Sequence, residues 1–244
     1  MQRDDYLAQL ARDGRRIADL ARGDLAATVP TCPGWTLADL VEHTGNVHRW
    51  QTEAARVDAG GFPDMSHETG VAAGQSLADW FQEGVDRAVE VMSGVEPDAT
   101  RWTWAKGPGD VAQWYFRRIA QETYVHRIDA ELTAGVEITD ADPAFAVDGI
   151  DEFCDVMIPQ AVGQAINGGG KTLHLHATDA EGEWLLTLHD DRVDVARGHA
   201  KGDAALRGAA RDLLLEVWGR EPLGPVEVFG DESVVATFRT AARL

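Results

Sequence analysis

The sequence predicts a mixed fold: an N-terminal four-helix bundle followed by a smaller α+β domain with an antiparallel sheet. Three observations predict it. Apolar residues recur at helical spacing through the first part. Glycine and proline breaks divide that part into four segments of helix length. After Asp140-Ala141-Asp142-Pro143, short alternating stretches take over. The boundary falls near Ala141, which gives domains at residues 1–140 and 141–244.

Tyr6, Leu10, Ile17, Leu20 and Ala21 form one stripe over residues 2–22, the first helix. Val29-Pro30-Thr31-Cys32-Pro33-Gly34 breaks the chain. Thr36 with Asp39 matches a capping box, with Asp where Glu or Gln is usual. It starts a helix over 37–59 that Gly60-Gly61-Phe62-Pro63 ends. Ser76 caps a third helix through Ser93, with Leu77, Trp80, Phe81, Val85, Ala88 and Met92 on one face. Residues 95–109 read as a connector. The fourth helix spans 110–134, and Gly135 stops it. In the second part, residues 144–165 continue as helix and Gly168-Gly169-Gly170 breaks it. Leu173-His174-Leu175-His176 and Trp184-Leu185-Leu186-Thr187-Leu188 alternate as strands. Asp190-Asp191 turns toward Val193-Asp194-Val195. Residues 204–208 and 226–229 are further strands, and 210–218 and 232–242 are helices.

Composition narrows the function. A net charge of −19 over 244 residues disfavours nucleic acid and anionic membrane surfaces as partners, since both demand clustered Lys and Arg. A small anionic substrate stays open, because it answers to a local field. No apolar run approaches the roughly 20 residues that span a bilayer. Met1 to Asp5 is polar with no apolar stretch behind it, so a cytoplasmic location is expected. Cys32 and Cys154 make no CxxC pair and read as two reduced thiols. Monomer and homodimer are both open.

The chemistry-bearing pattern is Glu122-Thr-Tyr-Val-His126 on the fourth helix. Residues four apart share a face, here the face of Tyr115, Ile119 and Ala130, which should turn inward. A carboxylate buried beside an imidazole is costly unless paired or metal-bound. Such a pair also occurs on solvated helix faces. His48 lies on the core-facing stripe of the second helix with Val41, Thr44, Gly45, Gln51, Thr52 and Ala55. The small residues there leave room around an imidazole, and facing helices of a bundle can share a ligand set. His48, Glu122 and His126 match a catalytic zinc set with an open fourth position. Taken singly, His48 is also an ordinary half-buried histidine. His43, five residues before His48, points well away from it on a helix and reads as structural.

Pro30-Thr-Cys-Pro-Gly-Trp35-Thr-Leu-Ala-Asp-Leu-Val-Glu-His43 with Gly45-Asn-Val-His48-Arg-Trp50 resembles the N-terminal signature of the mycothiol-dependent maleylpyruvate isomerase family, a DinB-like metal-binding bundle. Arg117-Arg118-Ile-Ala-Gln-Glu122-Thr-Tyr-Val-His126-Arg-Ile-Asp129 is similar to its second metal motif. Gly202-Asp203-Ala-Ala-Leu-Arg207-Gly208, Asp212-Leu-Leu-Leu-Glu-Val-Trp218-Gly219-Arg220 and Val226-Glu-Val-Phe-Gly-Asp231 resemble its sterol-carrier-like C-terminal domain. The resemblance covers nearly the whole chain and places the metal triad on His48, Glu122 and His126.

It also implies mycothiol as cofactor or co-substrate and a small-molecule substrate. In the chemistry that the resemblance implies, zinc would lower the pKa of the thiol; the thiolate would add to a cis double bond, the single bond would rotate and elimination would give the trans product, whereas a transferase would release the adduct. Arg220 and then Arg207 are the candidate anchors for an anionic substrate, and each reads equally as a surface arginine or a partner of Glu216 or Asp212. Asp129 could accept the second N–H of His126. Arg49 and Arg127 point off the metal face, and Trp35 packs the turn before the second helix. Two alternatives stand: a lipid or small-molecule binding protein with a structural metal, and a metal-dependent hydrolase with Asp129 as its only candidate base.

Overall fold

Tyr6, Leu10 and Ile17 repeat at helical spacing, and they are buried on one side of α1 (Arg3–Leu20) in the computed structural model. The structure describes residues 1–63, 70–105, 111–140, 142–162 and 166–241. Thr36 opens α2 (Leu37–Ala54) with the capping box read from the sequence: its hydroxyl accepts from the Asp39 amide, and the Asp39 carboxylate accepts from the Thr36 amide at 2.8 Å. The Ser76 hydroxyl caps α3 (Leu77–Ser93) by accepting from the Asp79 amide at 3.1 Å, and Gly135 closes α4 (Gln113–Ala134) in the left-handed region. The second helix ends earlier than expected; beyond it the Val57 carbonyl accepts the Trp102 amide at 2.9 Å, tying the connector back. The expected start of the fourth helix, Asp110, lies outside the described residues.

In the first unit α1 packs on α3 and α4, and α2 packs on the same two helices. α3 and α4 are therefore diagonal in the bundle. α4 is buried on nearly every side. Gly45 lets α2 and α3 close up: a Cβ there would stand 2.4 Å from the Trp80 indole. Trp80 thus fills the space beside Gly45.

The chain divides into two compact units, the first ending at Asp140 and the second beginning at Ala141, with Ala105–Pro108 of the connector counted in the second. Asp142 caps α5 (Pro143–Glu152), which runs into a π-helical stretch, Phe153–Val162. Pro159 lies inside that stretch. A proline lacks the N–H and crowds the carbonyl one turn back, and a wider turn relieves the clash. The uniform helix expected over 144–165 is corrected accordingly. Residues 163–165 lie outside the described residues.

Five strands follow: β1 (Lys171–Ala177), β2 (Glu183–Leu188), β3 (Val193–Arg197), β4 (Ala204–Gly208) and β5 (Glu227–Gly230), in the order β3-β2-β1-β4-β5. Helices α6 (Ala210–Val217) and α7 (Glu232–Ala241) complete the unit. Leu173, Leu175, Trp184, Leu186 and Leu188 form its buried sheet face. The antiparallel sheet expected from the hairpin pattern needs one correction. β1–β2, β2–β3 and β4–β5 are antiparallel, but β1 and β4 are parallel. Hairpin turns dictate only neighbours in sequence. Residues 198–203 instead carry the chain back across β2 and β1 to the far side of β1. This crossing lies close on β1, because a Cβ on Gly202 would stand 3.1 Å from the His174 amide nitrogen. Asp203 then pins its end, accepting from the Thr172 amide and hydroxyl at 2.9 Å each.

Candidate metal centre

Glu122 and His126 sit one turn apart on α4, and their side chains meet: His126 Nε2 lies 3.3 Å from Glu122 Oε1. The third member is His43. Its Nε2 is also 3.3 Å from Glu122 Oε1. Ligand atoms of His43, Glu122 and His126 all lie within 4.8 Å of one another.

His48 is turned elsewhere, a correction to the sequence reading. It is fully buried, its Nε2 is 2.8 Å from the Thr123 hydroxyl, and its ring rests 5.2 Å from that of Phe81 on α3. Burial pushes its pKa down to about 3, so it is a neutral imidazole. A residue at the middle of the core stripe points into the bundle. His43 stands at the edge of that stripe, where α2 meets α4 and solvent. The side chains of His43, Glu122 and His126 are 40%, 18% and 8% exposed, so the cluster opens on the His43 side.

The surrounding residues orient these donors. Arg118, one turn before Glu122, donates from Nη2 to Glu122 Oε2 at 2.6 Å and leaves Oε1 to the imidazoles. Burial pushes the Glu122 pKa up, but Arg118, His126 and His43 together hold it well below the usual carboxylate range. Asp129 Oδ2 is 2.9 Å from His126 Nδ1. That contact fixes the ring and turns Nε2 toward Glu122, as a carboxylate does behind a metal-ligating histidine. Burial pushes the His126 pKa down, yet Asp129 and Glu122 raise it to about 9. The local field therefore favours a positive charge at this imidazole, which suits a cation. Two imidazoles and a carboxylate are a donor set for a divalent transition metal, and the residues fit one.

The turn before α2 walls the cluster. The Trp35 ring is 4.9 Å from His43 and 6.3 Å from His126, between centroids. Cys32 Sγ is 3.7 Å from Asp129 Oδ2. The turn closes through Trp35 N to Cys32 O at 3.0 Å and Val29 N to Trp35 O at 2.9 Å. Gly34 at φ +87° supplies the left-handed step between Cys32 and Trp35. Trp35 thus does more than pack the turn. Sequence reasoning missed His43 and Arg118; the ladder Arg118, Glu122, His126 at four-residue steps was the readable sign of the latter.

Arg49 and Arg127 point off this face, as read. Arg49 donates to the carbonyls of Gly45 and Trp80, and Arg127 is buried against Glu131 and Thr139. Arg207 and Arg220 lie in the second unit. Arg207 Nη1 donates to Glu227 at 2.7 Å, and Arg220 Nη1 donates to the Trp218 carbonyl at 2.8 Å.

A family model described as the mycothiol maleylpyruvate isomerase N-terminal domain matches residues 6–131. The corresponding C-terminal domain model matches residues 144–237. A crystal structure of a mycothiol-dependent maleylpyruvate isomerase is similar, with TM-score 0.64 and 13% identity over 93% of each chain. A crystal structure of a histidine-to-alanine mutant of that isomerase gives 0.65 and 14% over the same shares. No curated protein matches. No described helix is long and apolar enough to cross a membrane. With one domain model on the helical part and its companion on the sheet part, the chain belongs to the mycothiol maleylpyruvate isomerase family.

Proposed function

We propose that His43, Glu122 and His126 hold one divalent metal ion, zinc by donor type, and that the protein is an enzyme using mycothiol for cis–trans isomerisation or S-transfer. The observation that carries this reading is the convergence of two imidazole nitrogens on one carboxylate oxygen, His43 Nε2 and His126 Nε2 each 3.3 Å from Glu122 Oε1. A metal held there supplies Lewis acidity that makes a thiol acidic enough to be a nucleophile near neutral pH.

The chain's own residues do the rest. Asp129 holds the His126 Nδ1 proton, so a metal would displace the other proton and take the Nε2 lone pair. Arg118 holds Glu122 ionised and in place. His43, the most exposed member, marks the side from which a thiol and an electrophilic substrate enter. The indole of Trp35 covers the imidazoles and limits water there. Asp129 is engaged by His126, so the hydrolase reading loses the base it needed.

The test is turnover of cis-enoyl acids and electrophiles by the zinc-loaded protein with mycothiol, beside His43→Ala and His48→Ala. Activity that depends on zinc and falls with His43→Ala supports the reading. Full turnover by His43→Ala, or by protein stripped with a chelator, overturns it.

A further inference from the structure

The second unit carries a cluster that the activity above does not use. β1 alternates Leu173-His174-Leu175-His176, so both imidazoles leave the sheet on the face opposite its leucine core. Glu183 of β2 is paired in register with His176 and shares that face. The crossing segment after β3 then lays His199 over the strands. His174 Nε2, His176 Nδ1 and His199 Nδ1 lie 2.9, 3.4 and 2.7 Å from one atom, Glu183 Oε2. The three rings stand mutually perpendicular, at 86° to 89°, with centroids 5.5 to 6.4 Å apart. One ligand atom from each of the four residues falls within 4.8 Å of all the others.

His174 points to a ligand independently. It is 6% exposed, and its Nε2 lies 2.9 Å from Glu183 Oε2 without an aligned hydrogen bond. A cation at the point of convergence would engage this nitrogen and the shared carboxylate oxygen together.

We propose that His174, His176, Glu183 and His199 form a second metal site, for a divalent transition ion of the zinc, cobalt or nickel class. Three imidazoles and one carboxylate suit those ions and not calcium or magnesium, which take oxygen. His176, Glu183 and His199 also line a cleft of about 500 Å³ with Trp184 and Gly198, so the site borders an exchangeable face. The site is independent of the bundle cluster.

The experiment is equilibrium dialysis of the full chain against zinc, with visible absorption of the cobalt form. Four proteins are compared: wild type, His43→Ala/Glu122→Gln, His176→Ala/His199→Ala, and the combination of all four changes. His176 and His199 are solvent-accessible, so the fold survives their truncation, which circular dichroism verifies. The expected result is that His43→Ala/Glu122→Gln still binds an ion with cobalt d–d bands, and that adding His176→Ala/His199→Ala weakens this binding by roughly a hundredfold or more. Equal uptake by the His43→Ala/Glu122→Gln protein and the fourfold variant overturns the second site. Equal uptake by wild type and His43→Ala/Glu122→Gln would sink the bundle metal instead and leave this site standing.

Discussion

The two buried faces of α4 carry similar groups to different ends. On one, Arg118, Glu122, His126 and Asp129 follow at three- and four-residue steps; on the other, Arg127 and Glu131 do. Arg127 is wholly buried, with Nη1 donating at 2.6 Å to both Glu131 Oε2 and the Thr139 carbonyl, and Asp13 lies 3.5 Å from its Nε. Glu131 in turn accepts from Arg16 at 2.7 Å and from the Thr139 hydroxyl at 2.6 Å. That network neutralises itself, acids against arginine. The Glu122 face has its own pairs, Arg118 with Glu122 and His126 with Asp129, but there two nitrogens also aim at one carboxylate oxygen. Buried charge alone therefore does not mark a site; donors that converge do.

The comparison can be broken in four places. The largest effect expected is Arg127→Ala, which removes the buried guanidinium between Glu131 and Asp13 and should cost about 3 kcal/mol of stability, while zinc stoichiometry of the folded fraction stays unchanged. Denaturant melts and dialysis read the two separately; a stable Arg127→Ala protein would contradict the structural role of that face.

Next, His43→Ala should weaken zinc at the bundle site by roughly a hundredfold or more, about 2.7 kcal/mol, whereas His48→Ala should leave zinc bound. Dialysis of each in the His176→Ala/His199→Ala background decides it, and the reverse order would restore His48 to the triad.

Third, His48 takes a proton in the unfolded chain near pH 6.5 but resists it in the fold until about pH 3. Its contribution to stability is thus present above pH 6.5 and lost as pH falls below it. Going from pH 6.5 to 5 should remove about 2 kcal/mol. Melts of wild type and His48→Gln over that range should show a shallower acid slope for the variant; parallel slopes would mean that His48 is not held neutral.

The smallest effect is Asp129→Asn. It keeps an acceptor for His126 Nδ1 but removes the charge behind it, and zinc should bind roughly tenfold more weakly. No change by calorimetry would make Asp129 a bystander.

Much of this was legible in the sequence. The capping residues Thr36 and Ser76, the stop at Gly135 and the Glu122–His126 pair are local patterns, set within one or two helical turns. The choice between His43 and His48 was not. The core stripe of α2 names the residue most buried, and a metal site open to substrate needs one at the stripe's edge instead. Which side of α2 faces α4, and which faces Trp80, depends on packing that no single helix encodes. The parallel β1–β4 pair was hidden for a similar reason, since alternation reports faces and not partners. His174 and His176 were read only as strand residues, because His199 reaches them through a crossing that the hairpin pattern did not suggest.

The Arg127 network has a consequence for the neighbouring face of its helix. Adjacent residues on a helix differ by about 100° in direction. A rod keyed at Arg127 and Glu131 against α1 and Thr139 cannot swivel without tearing out those charges. Its angular setting is therefore locked, and with it the bite between His126 and His43. Variants in the lock, which supply none of the three donor atoms, become a means of retuning which ion the protein prefers.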